Sequence, residues 1–230
     1  DLGLFNNRVN LITDVYKRDI FDNIDFVRTS GIGGQFIKQG NNADVETYGI
    51  EFTLDTKNIV TDNFTWSSNI NFSYFDQEIT KLDNTPIAFD LVDQTGGNVV
   101  GYPINSMFSF QFAGLNNEGL PQFTNKDGEI ASVLDFQNNE NLTDYLKHEG
   151  SVNPNISVGF SNNFTYKNWD LGVLITGSGG NKVRLNPMFS STYSDTSIFS
   201  KSHVNRWLNP GDENITNIPV VPDPSAFQRN

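Results

Sequence analysis

The sequence contains no cysteine and only two histidines, His148 and His203, in 230 residues. Without thiols there is no disulfide, thiolate zinc site, iron–sulfur cluster or cysteine nucleophile. Two histidines are too few for most histidine-built metal or catalytic centres. Basic residues are also scarce: 15 Lys and Arg stand against 27 Asp and Glu, a net charge of −12. That excess repels phosphate backbones, which excludes nucleic acid as an expected partner, and it argues against polybasic attachment to anionic lipid. No stretch approaches the roughly 20 unbroken apolar residues of a membrane-spanning helix. The first residues, Asp1 to Phe5, carry neither the basic nor the long apolar region of a signal peptide.

What the chain does have is aromatic material, 13% of residues with 19 Phe among them, enough to exclude global disorder. Its length suits one large domain or two small ones. Period-two alternation is the dominant pattern. Phe64, Trp66, Ser68, Ile70, Phe72 and Tyr74 fall on one face of a strand, and Thr65, Ser67, Asn69, Asn71 and Ser73 on the other. Ile156, Val158, Phe160, Asn162, Phe164 and Tyr166 alternate with Ser157, Gly159, Ser161, Asn163 and Thr165 in the same way. Tyr48, Ile50, Phe52 and Leu54 form a third apolar face, and weaker cases run over 8–18 and 169–176. A short helix over Val133–His148 is the one helical expectation.

Two features separate these strands from those of a soluble sheet. The cleanest run to about 10–12 residues, against roughly five or six in globular domains and about 9–11 for a tilted strand crossing a bilayer. Their polar faces are Ser, Thr, Asn and Gly rather than Lys and Glu, as suits a hydrated lumen. Aromatics near strand ends (Phe64, Trp66, Tyr74, Phe75, Tyr166, Trp169) match the girdles of outer-membrane barrels. The short turns at Lys167-Asn168 and Asp62-Asn63 should be periplasmic, since outer loops are the long ones. An even number of crossings, most simply zero, then lies between Glu78 and Asn153, with Met107–Phe112 a short, unpaired strand there. The expected spans are 8–18, 47–57, 64–75, 155–166 and 169–178, with outer loops at 19–46, 79–154 and 179–230. Five spans cannot close a barrel, whose smallest bacterial form has about eight strands. The fold class expected is therefore all-β, the antiparallel strands of a partial, large transmembrane β-barrel with long extracellular loops.

Specific words in the sequence carry a resemblance. Leu4-Phe5-Asn6-Asn7-Arg8, Tyr48-Gly49-Ile50-Glu51, and Gly101-Tyr102-Pro103-Ile104 with Ala113-Gly114-Leu115 come in order. Glu118-Gly119-Leu120-Pro121-Gln122-Phe123 with Asp127-Gly128, then Tyr166-Lys167-Asn168-Trp169-Asp170-Leu171, and finally Arg206-Trp207-Leu208-Asn209-Pro210-Gly211-Asp212-Glu213 complete the series. Together, over nearly the whole chain, they resemble the C-terminal part of the barrel in SusC/RagA-type TonB-dependent outer-membrane transporters. The resemblance implies a barrel of about 22 strands with a plugged lumen, in the outer membrane of a Gram-negative bacterium and embedded in its lipid. It implies nutrient uptake energised through TonB, a SusD-like surface lipoprotein as partner, and an oligosaccharide or peptide as substrate. Neither a plug nor a TonB-contact motif is read in these residues, so transport by this piece alone is not expected.

Candidate contact residues for ligand or partner are the loop aromatics Phe36, Phe89, Tyr102 and Phe123, which could stack on sugar rings, and Arg206 with Trp207. Each has a plainer role available in packing, and Pro210-Gly211 with Asp212 sets a turn. Gly31–Gly34 and Gly177–Gly180 lack the Lys-Ser/Thr ending of a phosphate loop. The acidic stretch Leu115–Glu129 lacks the ligand spacing of an EF-hand. No catalytic group, cofactor or metal site is identified, and the chain is read as a non-enzyme. The rival readings are a soluble or surface-exposed β-sandwich that binds carbohydrate and a secreted β-rich hydrolase, for which no carboxylate pair stands out.

Overall fold

The computed structural model describes residues 1–28, 31, 34, 37–132, 142–185, 198 and 200–221. A short β1 (Leu2–Leu4) leads into β2 (Val9–Arg28), β3 (Ile37–Val60) and β4 (Phe64–Leu82). One turn of helix, α1 (Ala88–Leu91), precedes β5 (Ser106–Phe110), β6 (Phe112–Leu115) and β7 (Pro121–Phe123). Then come β8 (Leu146–Ser151), β9 (Ile156–Tyr166) and β10 (Trp169–Gly179), followed by 3-10 turns at Lys201–Asn205 and Asp212–Asn214. Two compact units result. One holds Asp1–Met107 and Glu149–Lys182, the other Phe108–His148 and Val183–Asn230.

The first unit is built on a six-stranded sheet in the order β1-β2-β3-β4-β9-β10, every pair antiparallel. β4 bonds directly to β9, and among the described residues no named strand between Leu82 and Ile156 belongs to this sheet. The turns are short where the sequence places turn residues. β9 and β10 close with Tyr166 opposite Trp169, and Lys167 takes a left-handed φ of 54°. β3 and β4 are joined through Thr61, whose hydroxyl accepts the Phe64 amide at 3.0 Å.

The register carries each apolar face onto the next. Leu11, Leu54, Ile70, Phe160 and Ile175 form one row across five strands; Val15, Ile50, Tyr74 and Ile156 form another. Between them the Phe52 and Phe72 rings stack with centroids 5.1 Å apart. A one-residue slip anywhere would put this set on the polar side.

Above the Tyr48 and Asp76 row the apolar face changes sides. Ile20, Val45 and Ile79 pair across β2, β3 and β4 on the face opposite Ile50, and Val45 and Ile79 are buried. With Ala43, Leu82 and Ile104 they form a small core. Register shifts lie beside this level in both ladders, between Ile20 and Asn23 and between Asp44 and Val45. At one of them the Asp22 amide donates to Asp44 Oδ1 at 3.0 Å. Bulges bend a ladder and sharpen its twist.

Several expectations change here. Of the stretch 19–46 expected as outer loop, 19–28 and 37–46 continue the β2–β3 ladder, and β4 runs on to Leu82. The alternation that marks the lower strands breaks where the apolar residues switch faces, which hides the continuation. The strand near Met107–Phe112 is not unpaired, because β5 bonds to β8. Of the helix expected over Val133–His148, residues 133–141 lie outside the described set. Leu142–Asp144 is a 3-10 turn, and β8 begins at Leu146.

Beyond Tyr74 the edge of β4 that β9 leaves is taken by the segment before β5. Ile79 N–H donates to Tyr102 O and Gly101 N–H donates to Ile79 O, both at 2.9 Å. In the second unit β6 and β7 pair as a hairpin. Asn116 Oδ1 accepts the Glu118 and Leu120 amides in the turn between them, and Asn125 Oδ1 does the same for Asp127 and Glu129.

Candidate functional site

The first candidate is the apolar face of the six-stranded sheet. Val15 is 78% exposed, Leu171 60%, Ile175 61% and Trp169 80%, so no second sheet covers this face among the described residues. A sandwich would bury them. At the turn end lie Phe64, Trp66, Phe164, Tyr166 and Trp169; at the other, Tyr48 and Tyr74. From Phe64 to Tyr74 roughly ten residues rise about 33 Å along the strand, which at a tilt of about 40° projects to about 25 Å. That is the height of the apolar band on an outer-membrane barrel.

One polar row crosses the band near its turn end. Thr56, Ser68 and Asn162 lie side by side. Asn162 Oδ1 accepts from Trp66 Nε1 at 2.9 Å and from Ser68 Oγ at 2.7 Å, and Asn58 Nδ2 donates to Ser68 Oγ at 2.6 Å. Trp66 stacks on Phe164 with centroids 5.7 Å apart, which leaves Asn162 9% exposed. The side-chain carbonyl of Asn162 is thus satisfied within the sheet. Past Tyr48 the same face becomes charged. Lys17 pairs with Glu46 and, at 3.5 Å, with Asp19, and its ammonium lies 5.4 Å from the Tyr48 ring centroid.

The reverse face is small and polar. Thr53 Oγ1 donates to Asn71 Oδ1 at 2.9 Å, Asn69 Nδ2 to Asp55 Oδ1 at 2.7 Å, and Thr165 Oγ1 to Asp170 Oδ1 at 2.7 Å. Arg8 spends its guanidinium on the carbonyls of Lys57 and Asn58 near the turn end. Ile12 and Leu174 are apolar exceptions on this side.

The second candidate is the turn of Arg206–Glu213, in the other unit. Asp212 Oδ2 accepts the amides of Leu208 and Asn209 at 3.0 and 2.9 Å. Glu213 Oε2 accepts from Trp207 Nε1 at 3.0 Å and from the Gly211 amide at 2.8 Å. These bonds, the indole first, hold the Glu213 carboxyl below its ordinary value. Gly211 has a left-handed φ of 109°, which glycine adopts without strain. Trp207 lies over Gly119, where a Cβ would come 2.5 Å from the indole, and Val220 N–H donates to Gly119 O at 3.0 Å. The segment is therefore clamped onto the β6–β7 turn.

The sequence-nominated residues fall in different places. Phe36 lies outside the described residues. Phe89, on α1, is 76% exposed. Tyr102 is half-buried, with its backbone bonded to Ile79. The Phe123 ring meets those of Phe110 and Phe112, with centroids 5.7 and 6.3 Å away. Arg206 donates to His203 O at 3.2 Å, next to Trp207. Missed from sequence were Tyr16 and Arg18, which the register brings onto the polar face beside Gly49 and Thr47.

An antiparallel sheet with one exposed apolar face between aromatic rows, and a polar face behind it, defines part of the wall of a transmembrane β-barrel. The comparisons agree in sequence and in fold. No family model matches the chain. It is 28% identical to TonB-dependent receptor P3 of Formosa agariphila over all of its length and 24% of that protein's. It is 29% identical to TonB-dependent receptor SusC of Bacteroides thetaiotaomicron, over 80% of this chain and 19% of that one. A solved structure of the RagAB peptide transporter matches 96% of this chain and 25% of its own at a TM-score of 0.66 and 24% identity. The open-open state of the RagAB peptide importer gives 0.65, also at 24% identity, over 96% and 24% of the two chains. The chain is thus similar in sequence to segments of TonB-dependent receptors, and in fold to part of the RagAB transporter structures. It spans about a quarter or less of the length of the relatives it matches.

Proposed function

We propose that the chain forms part of the wall and outer surface of a nutrient importer in the outer membrane of a Gram-negative bacterium. It works by binding and gating, without bond-making chemistry. The observation that carries this reading is the exposed, largely apolar face, about 25 Å tall and edged by aromatics, which suits lipid better than water. The spans lie near 8–18, 47–57, 64–75, 155–166 and 169–178. The short turns are periplasmic, and residues 79–154 and 179–230 lie on the outer side. Energy comes through TonB, by a contact made elsewhere in the receptor. A SusD-like lipoprotein helps capture an oligosaccharide or peptide, consistent with relatives named SusC and RagAB. Phe36, Phe89, Tyr102, Phe123, Arg206 and Trp207 remain the contacts proposed for ligand or partner, with Phe89 the most open of those described.

The test is the size and location of the native product, detected with an antibody to residues 83–150. A species several times 25.7 kDa in the outer-membrane fraction is expected. A soluble or secreted species of this size would overturn the reading.

A further inference from the structure

We infer that Tyr16 and Arg18 form a recognition point for a carboxylate on the inner face of the wall, an inference that rests on the importer reading. Three rows of the ladder build it. Tyr16, Gly49 and Phe75 share one row, and Arg18, Thr47 and Gln77 share the next outward. Above them stand Ile20, Val45 and Ile79, packed with Ile104 as an apolar shelf. The two aromatics are an exception on this face of the sheet, which is otherwise mostly small and polar.

Gly49 makes the arrangement possible. A Cβ there would collide with Tyr16 Cζ, so the far end of the phenol ring rests on bare backbone. The ring in turn holds the Arg18 guanidinium, whose carbon is 5.4 Å from the ring centroid. Lys17 is paired with Glu46 and Asp19, Lys81 with Asp83 at 3.0 Å, and Arg8 bonds two carbonyls. Among the described residues no carboxylate stands within ion-pair distance of Arg18. Its planar fork, oriented by an aromatic face and set beneath apolar side chains, matches the two oxygens of a carboxylate. Such a group comes from the C-terminus of a peptide or from a uronic-acid sugar.

The experiment uses the intact receptor carrying this segment, purified from outer membranes, and calorimetric titration with four probes: penta-alanine, its C-terminal amide, tetragalacturonate, and its methyl ester. The expected result is a preference for one acid over its own uncharged partner, and which pair shows it names the source. Arg18→Gln should weaken the preferred acid by about tenfold or more and leave its uncharged partner unchanged. Tyr16→Leu should weaken the acid less. Arg18→Lys, which keeps the charge without the fork, carries the test independently of the Gln variant. An intermediate preference supports the site, and an unchanged one overturns it. Equal affinity of the wild-type receptor for acids and uncharged partners also overturns it. Uptake in a strain lacking the receptor separates the two readings. If uptake of every probe is the same with and without the receptor, the importer reading falls, and this site with it. If uptake needs the receptor but Arg18→Gln keeps the acid preference, the site alone falls.

Discussion

Trp66 and Asn162 are joined across β4 and β9 by a hydrogen bond of 2.9 Å, from the indole to the side-chain carbonyl, on the apolar face of the sheet. Asn162→Ala strips the acceptor from both Trp66 and Ser68 and should destabilise the barrel by about 1–3 kcal/mol. Denaturant unfolding of the receptor reconstituted in vesicles measures this. Pairing Asn162→Val with Trp66→Phe removes donor and acceptor together and should recover most of the loss.

Ile70 and Phe160 face each other in the middle of the band, while Asn71 lies one residue away on the reverse face. Lysine at Ile70 or Phe160 should cost about 2–4 kcal/mol at mid-bilayer depth and block assembly, whereas Asn71→Lys should be tolerated. Heat-modifiable gel mobility of outer-membrane fractions reads both. Indifference to all three would refute the lipid-facing assignment.

Gly119 is held under Trp207 at a φ of +76°. Gly119→Ala adds a Cβ against the indole in a backbone region that alanine disfavours, so the clamp should loosen by more than about 1 kcal/mol. Faster proteolysis within 200–221, with the barrel still assembled, is the expected readout.

The same clamp should depend on pH. Glu213 is held below its ordinary value of 4.5, chiefly by the Trp207 indole and then by backbone amides. A depressed folded value means that the charged form favours the closed turn. The contribution is full above the ordinary value and is lost as pH falls below it, through the lowered one. Trp207 fluorescence followed from neutral to acid should change only at that low end, and Glu213→Gln should flatten the response.

Much of the sheet was legible in the sequence because one physical rule governs it. Ile70, Phe72 and Phe160 share the apolar face while Asn69, Asn71 and Asn163 share the polar one, and a period of two records that directly. The words around Tyr48-Gly49 and Arg206–Glu213 identified the type of barrel. What was not legible depends on three dimensions. The switch of apolar side near Val45 and Ile79 breaks the periodic signal, so the upper part of the ladder reads as loop. β5 finds its partner in β8, across some 35 residues that show no alternation. Tyr16 and Arg18 look like ordinary strand residues until the register sets the tyrosine over Gly49 and the arginine beside Thr47. Gly49, within Tyr48-Gly49-Ile50-Glu51, is the one sign of this contact that the sequence carries.

The change of apolar face at the level of Val45 and Ile79 also fixes how deeply the protein sits. β3 has 24 residues, more than twice the roughly 9–11 that a crossing requires, so strand length alone sets no depth. The chain instead carries its own waterline. Below Tyr48 its outward surface is oily, above it that surface is ionic, and sliding by one row either way would drown Lys17 and Glu46 or strand Ile50 and Tyr74. A bilayer of different thickness would therefore have to deform around a wall of this pattern rather than let it slide.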